Sequence, residues 1–294
     1  MMSFESTASP TVIAEVGCNH AGSLDLAKRM IGVAAEFCEV DVVKFQKRNS
    51  RELLPAEQYD APHPNAVHSF GDTYGEHREF LEFSVDQHLD LMETAAKFGV
   101  TYSTSVWDLT SAVEISGLNP KLIKIPSATN LHFELLGYLC DNYGGEIHLS
   151  LGMTTRSEEQ EIVDFFRAHD RMGDLVLYAC TSGYPVPHDQ LAIREIERLV
   201  ASYGMELHAV GFSGHHLGIA VDIAAFTLGA TVVERHFTLD RTSKGTDHAA
   251  SLEPDGLRRL KRDLSGVATA LTFREGGGLL PVEHETRAKL KWHR

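Results

Sequence analysis

Short runs rich in Val, Ile and Leu alternate along this chain with amphipathic stretches. The runs are TVIAEVG (11–17), VDVVKFQ (40–46), VTYSTSV (100–106), LIKIPS (122–127), EIHLSLG (146–152), LVLYACT (175–181), HAVGFSG (208–214) and TVVERHF (231–237). They are mostly apolar rather than strictly alternating, which is the character of strands covered on both faces of a parallel sheet. Helix-period segments lie between them, such as LDLAKRMIGVAAEF, QHLDLMETAAKF, EEQEIVDFFRAH and GIAVDIAAFTLG. Eight βα units that close on themselves predict an α/β fold of the TIM (β/α)8 barrel type. A doubly wound open sheet is the alternative. It usually has fewer strands, and the first turn here, GCNHAGS, lacks the G-x-G-x-x-G of that fold.

One connection breaks the rhythm. From Gln46 to the helix near Asp86 the chain is polar, carries prolines and histidines, and reads as a long loop after strand two. Long structureless loops inside a compact domain are usually functional or disordered, and a loop after a barrel strand lies on the catalytic face. Residues 49–85 are therefore expected to form a substrate lid, with Tyr74 and Arg78 as candidate contacts; a passive surface insertion is the rival. A single barrel domain is expected over 1–272, and 273–294, which opens on a glycine run, reads as a linker-like tail.

Composition narrows the classes. The 294 residues slightly exceed the ~250 typical of one such barrel. Hydrophobic residues at 43% and charged residues at 23% exclude wholesale disorder. A net charge of −14 argues against nucleic acid as the main partner, and an anionic substrate would need local cations. No run approaches the roughly 18 apolar residues of a membrane span. The start has no basic region before its apolar stretch, so no secretory signal is expected. Cys18, Cys38, Cys140 and Cys180 show no C-x-x-C spacing and read as reduced thiols of a cytoplasmic protein.

Strand parity then picks out candidate chemistry. Residues two apart share a face, and side chains at the C-terminal strand ends converge on one mouth. Strand one offers Glu15, strand two Lys44 and Gln46, and strand four Lys124 with Ser127 at its exit. Strands five and six offer Ser150, Cys180 and Ser182. Strand seven offers Ser213 and His215, and strand eight Glu234 and His236. Unpaired charges at such positions are costly, so their number points to function. His215 and His236 end neighbouring strands and suit a shared catalytic divalent metal. His216 competes with His215, but parity puts it on the other side. Lys44 and Lys124 could clamp a phosphate or carboxylate, or serve only as ion-pair partners. The serines could complete a phosphate cradle with backbone N–H groups, or be simple turn hydroxyls. Asp247, in the loop TLDRTSKGTDHAAS (238–251), could orient a hydroxylated substrate.

Seven segments carry a resemblance. AEVGCNHAGSLDLAKRMI, VDVVKFQKR, IKIPSATNLHFELL, LSLGM, CTSGYPVP, GFSGHH and VERHFTLDR with GTDHAAS resemble the sialic acid (N-acylneuraminate) synthase family, in order and across nearly the whole chain. The resemblance implies an enzyme that condenses phosphoenolpyruvate with an N-acylated aldose such as N-acetylmannosamine, giving a 3-deoxy-2-keto sugar acid and phosphate. It implies Mn²⁺ or Mg²⁺ on His215 and His236. It places phosphoenolpyruvate against Lys44, Lys124, Ser127, Ser150, Ser182 and Ser213, and the sugar near Glu15, Gln46, Tyr184 and Asp247. Glu15 and Lys124 are the expected catalytic pair, and a homodimer the expected assembly. Three departures accompany it. Many members read S-D-H where this chain has Ser213-Gly214-His215. Many carry a glutamate at the position of Thr129. Longer members continue into an antifreeze-like domain that lends an arginine to the partner's sugar site, so for this sequence the N-acyl contact is expected from elsewhere, or the substrate differs. An aldolase or metal-dependent hydrolase on the same barrel, or a sugar-acid binding subunit, remains the alternative.

Overall fold

The computed structural model describes residues 9–292. Eight strands close in chain order into one barrel: β1 Thr11–Glu15, β2 Val42–Lys47, β3 Thr101–Val106, β4 Leu122–Ile125, β5 Glu146–Ser150, β6 Leu175–Cys180, β7 Ala209–Gly214 and β8 Val232–His236. Neighbours are parallel throughout, and β8 returns to β1 with Glu15 opposite His236. This is the expected TIM barrel, and closure removes the open-sheet alternative. The helices are α1 Leu24–Gly32, α2 Ser50–Leu53, α3 Ala56–Asp60, α4 Tyr74–Phe80, α5 Val85–Lys97, α6 Leu109–Leu118, α7 Phe133–Asn142, α8 Arg156–Ala168, α9 Glu195–Tyr203, α10 Ala220–Thr227, α11 Pro254–Ala270 and α12 Glu283–Leu290.

Alternation along each strand divides the core. Outward residues such as Val43, Phe45, Ile123, Leu149, Leu177 and Val233 pack beneath the helices. Inward residues near the strand starts, among them Ile13, Val42, Leu122, Val176 and Val232, plug the barrel floor. Burying each such side chain contributes roughly 1.5–3 kcal/mol. One step higher the inward positions turn polar. Glu15, Lys44, Ser105, Lys124, Ser150, Ser213 and Glu234 are all buried there. A charged layer thus sits on an apolar floor, where water screens it poorly.

The segment after β2 differs from the structureless loop expected. It contains α2, α3, α4 and a 3₁₀ turn at Ala66–His68. Helix α4 starts at a capping box: the Thr73 hydroxyl accepts from the Glu76 N–H at 3.2 Å, and the Glu76 carboxylate accepts from the Thr73 N–H at 3.1 Å. The insertion docks on the catalytic face. His68 Nδ1 accepts from the Gly245 N–H at 3.1 Å, and the Lys244 ammonium lies 4.6 Å from the centre of the Phe70 ring. At its other end the Phe80 carbonyl packs so close to Gly22 that a Cβ there would lie 2.5 Å from the oxygen. Beyond the glycine run, α12 is a helix with no buried residue.

Candidate active site

Four charges form the floor of the mouth. The Lys44 ammonium touches Glu15 Oε2 at 2.6 Å, approaches Glu234 Oε1 at 3.7 Å and donates to Ser105 Oγ at 2.8 Å. Lys124 reaches Glu234 Oε2 at 3.4 Å, and its ammonium lies 3.1 Å from the centre of the Tyr178 ring. The register places Glu15 opposite Lys44 and Ser213 opposite Glu234, so barrel closure itself assembles the cluster. Burial raises the Glu15 carboxyl above its usual range, although Lys44 opposes it. Burial disfavours the Glu234 carboxylate, but Lys124 and Lys44 outweigh it and hold its pKa low. Burial likewise opposes the Lys44 ammonium, but Glu15 and Glu234 prevail and raise it. For Lys124 burial wins: its pKa falls to about 8, with Glu234 offsetting only part.

The Ser127 and Ser182 hydroxyls meet over Gly152. Ser127 Oγ accepts from the Gly152 N–H at 3.1 Å, and Asn130 Nδ2 holds the Ser150 carbonyl at 2.9 Å. Gly152 permits the arrangement, since a Cβ there would lie 2.3 Å from Ser182 Oγ and 2.6 Å from Ser127 Oγ. Ser213 Oγ donates to Glu234 Oε1 at 3.2 Å.

The imidazoles stand at the rim. The rings of His215 and His236 are 5.5 Å apart, and Tyr184 packs on His215 at 4.3 Å. His215 Nδ1 donates to the Thr181 carbonyl at 3.1 Å, which leaves Nε2 with its lone pair. Burial, then the neighbouring His236, lowers its pKa to about 4, so the ring is neutral at pH 7. His236 Nδ1 is buried with no hydrogen-bond partner, and the nearest Asp247 oxygen is 4.0 Å away. A free lone pair beside an orphaned buried nitrogen fits a cation bound by two imidazoles. Among the described residues no group of three or more His, Cys, Asp or Glu side chains could hold a metal, so the remaining positions would fall to water or substrate. His216 is elsewhere: its Nε2 accepts from buried Arg235, which also pairs with Asp222.

One cavity of about 310 Å³ unites these groups. Glu15, Lys44, Gln46, Lys124, Ser127, Ser150, Ser182, Tyr184, Ser213, His215 and His236 all line it. Asp247 stands at its edge, beside Gly17, whose φ of +56° and missing Cβ let Gln46, Glu15 and Asp247 crowd together. Gln46 Nε2 donates to Glu15 Oε1 at 2.7 Å. Sequence reasoning gave Glu234 no role, and it missed Ser105, Tyr178 and Trp107. Parity on β3 would have found Ser105. Arg48 was also missed. It is buried, donates to Gln46 Oε1 and to Cys18 Sγ, and pairs with Glu82 at 3.5 Å.

Comparison with known proteins fits this geometry. The NeuB family profile matches residues 30–275. The chain belongs to the NeuB family. Human N-acetylneuraminate-9-phosphate synthase is 36% identical over 282 residues, which cover 95% of this chain and 76% of that one. The N,N'-diacetyllegionaminic acid synthase of Campylobacter jejuni is 31% identical over 88% of this chain and 77% of its own length. The N-acetylneuraminic acid (sialic acid) synthetase of Leptospira borgpetersenii, solved with citrate, superposes with a TM-score of 0.80 at 27% identity, covering 96% of this chain and 91% of that one. The resemblance to sialic acid synthases therefore holds, and so does the expectation of an enzyme. No helix among the described residues is long and apolar enough to cross a membrane.

Proposed function

We propose that this NeuB-family chain condenses phosphoenolpyruvate with an N-acylated aldose of the N-acetylmannosamine type, yielding a 3-deoxy-2-keto sugar acid and inorganic phosphate. The observation that carries the reading is a single cavity lined by two buried lysines, five serines and a pair of imidazoles. The named relatives support it, since all are synthases of acids. Their names include a 9-phosphate product and products without one, so relatives alone leave the phosphorylation state of the sugar open.

Lys44 and Lys124 bind the carboxylate and phosphate of phosphoenolpyruvate, with Ser127, Ser150, Ser182 and Ser213 around them. Gln46, Tyr184 and Asp247 orient the sugar. The C3 carbon of phosphoenolpyruvate forms a bond to the aldehyde carbon, and the aldehyde oxygen takes up a proton. Glu15, whose burial favours the protonated acid, is the proton carrier for that oxygen. Water adds at C2 and gives one proton to the Glu15 carboxylate; the C2–O bond to phosphate then breaks, the C2 hydroxyl passes its proton to the departing phosphate, and the ketone remains. A divalent cation, Mn²⁺ or Mg²⁺, held by His215 and His236 would supply Lewis-acid polarisation of the aldehyde. The four free thiols suit a reducing compartment, and we assign the chain to the cytoplasm as a homodimer.

The test is a panel of N-acylated and plain aldoses with phosphoenolpyruvate, following phosphate release with and without Mn²⁺. Release should need both substrates and stop on chelation. Turnover with pyruvate in place of phosphoenolpyruvate would give the site to an aldolase instead. In the same assay His236→Ala should lose more than ~100-fold, beyond the cost of removing a group that only orients a ligand, while circular dichroism stays unchanged. Full activity in that variant removes His236 from the metal site.

A further inference from the structure

A second hollow of about 180 Å³ opens beside the catalytic cavity, beneath the inserted helices. Trp107 and Ala128 line both spaces, so one ligand can occupy the two together. Four residues of its wall carry a buried polar atom without a hydrogen-bond partner: Ser50 Oγ, Trp107 Nε1, Thr129 Oγ1 and Arg48 Nε, the last lying 3.5 Å from Glu82 Oε1 as an ion pair. All four can donate a hydrogen bond, and unmade buried hydrogen bonds are costly. A fifth residue of the wall is Arg78 on α4. Its Nε donates to the Tyr74 hydroxyl at 3.0 Å and its guanidinium lies 5.0 Å from the centre of that ring. It is half-buried, and among the described residues it has no carboxylate partner. No acidic side chain lines the hollow. Five donors, one of them an unneutralised guanidinium, in a chain of net charge −14 describe a place for an anion with several acceptor oxygens.

We propose that this hollow receives the phosphate ester of a phosphorylated acceptor sugar, with Arg78 as its counter-ion. The inference rests on the proposed function, whose site supplies the rest of the sugar's binding. Phosphoenolpyruvate already has Lys44 and Lys124 for its two anionic groups, so its charges do not account for Arg78. Thr129 adds to the case. Its hydroxyl is buried without a hydrogen-bond partner and offers a donor, where a carboxylate on the wall would repel a dianion.

The probes are N-acetylmannosamine and its 6-phosphate. The wild-type chain should favour the ester in kcat/KM by about tenfold or more, the value of one charge-assisted contact. Arg78→Gln should collapse that ratio, and Arg78→Lys should restore part of it. Calorimetric titration of the ester without phosphoenolpyruvate should show the same loss of about tenfold in affinity in Arg78→Gln. Arg78-dependent binding without turnover would uphold the hollow while sinking the synthase reading. A third arm adds inorganic phosphate to the unphosphorylated sugar. If phosphate alters turnover through Arg78 and the ester gains nothing, the anion is free phosphate rather than a substrate group. Equal handling of both sugars, with no phosphate effect and no Arg78 dependence, overturns the proposal.

Discussion

Lys124 shows most directly how surroundings set residue chemistry. Its ammonium is buried above the apolar floor, and that burial outweighs the Glu234 carboxylate 3.4 Å away, so its pKa drops to about 8. Above that pH it loses the charge that grips an anion, whereas phosphoenolpyruvate keeps its own. The KM for phosphoenolpyruvate should therefore rise about tenfold per unit above pH 8, and Lys124→Arg should flatten that rise because a guanidinium stays charged. Steady-state kinetics across pH 7–10 decides it; a KM independent of pH rejects Lys124 as the clamp. Lys124→Ala should weaken phosphoenolpyruvate more than sugar, and equal losses would count against the same role. At this scale parity read the chain well. It chose His215 over His216, and the structure sends His216 to the buried Arg235–Asp222 pair. It could not find Arg48, which follows the last paired position of β2 and reads as ordinary loop polarity.

At the scale of elements the strands were legible because a strand covered on both faces must be apolar nearly throughout. Each ends within about two residues of its expected limit, which is the usual latitude of element boundaries. The insertion was legible only in length and place. Its helices are short and polar, so hydrophobic period gave no signal, but Thr73-x-x-Glu76 and Ser84-x-x-Gln87 both close as capping boxes. Its contacts run from Gly22 to Gly245 across the mouth, and Arg78 lines the hollow beneath it. If residues 49–85 act as a lid, both substrates together should protect them. Protease nicking in that stretch should then slow at least about threefold when phosphoenolpyruvate and sugar are both present, since cleavage follows the open population. Unchanged cleavage would make the segment a passive cover.

For the whole molecule the acidic balance and the cationic site pull in opposite directions. The −14 charge disfavours any anion at long range, and the cations lining the two cavities, Lys44, Lys124, Arg48 and Arg78, oppose that locally. Every side chain invoked for the reaction comes from this chain, so the purified protein, given the divalent cation, should release phosphate with no second protein added. Activity that appears only on adding another chain would restore the binding-subunit alternative. The sequence by itself determined the eight-unit barrel and the candidates at each strand end, because periodicity and parity are local properties. Only the tertiary structure decided which candidates meet. Closure of β8 on β1 brought Glu15 to His236, the burial of the floor set the proton affinities of Glu15 and Lys124, and the folded insertion made a second hollow from residues far apart in the chain. Those outcomes depend on distance and on exclusion of water, and neither is written in the order of residues.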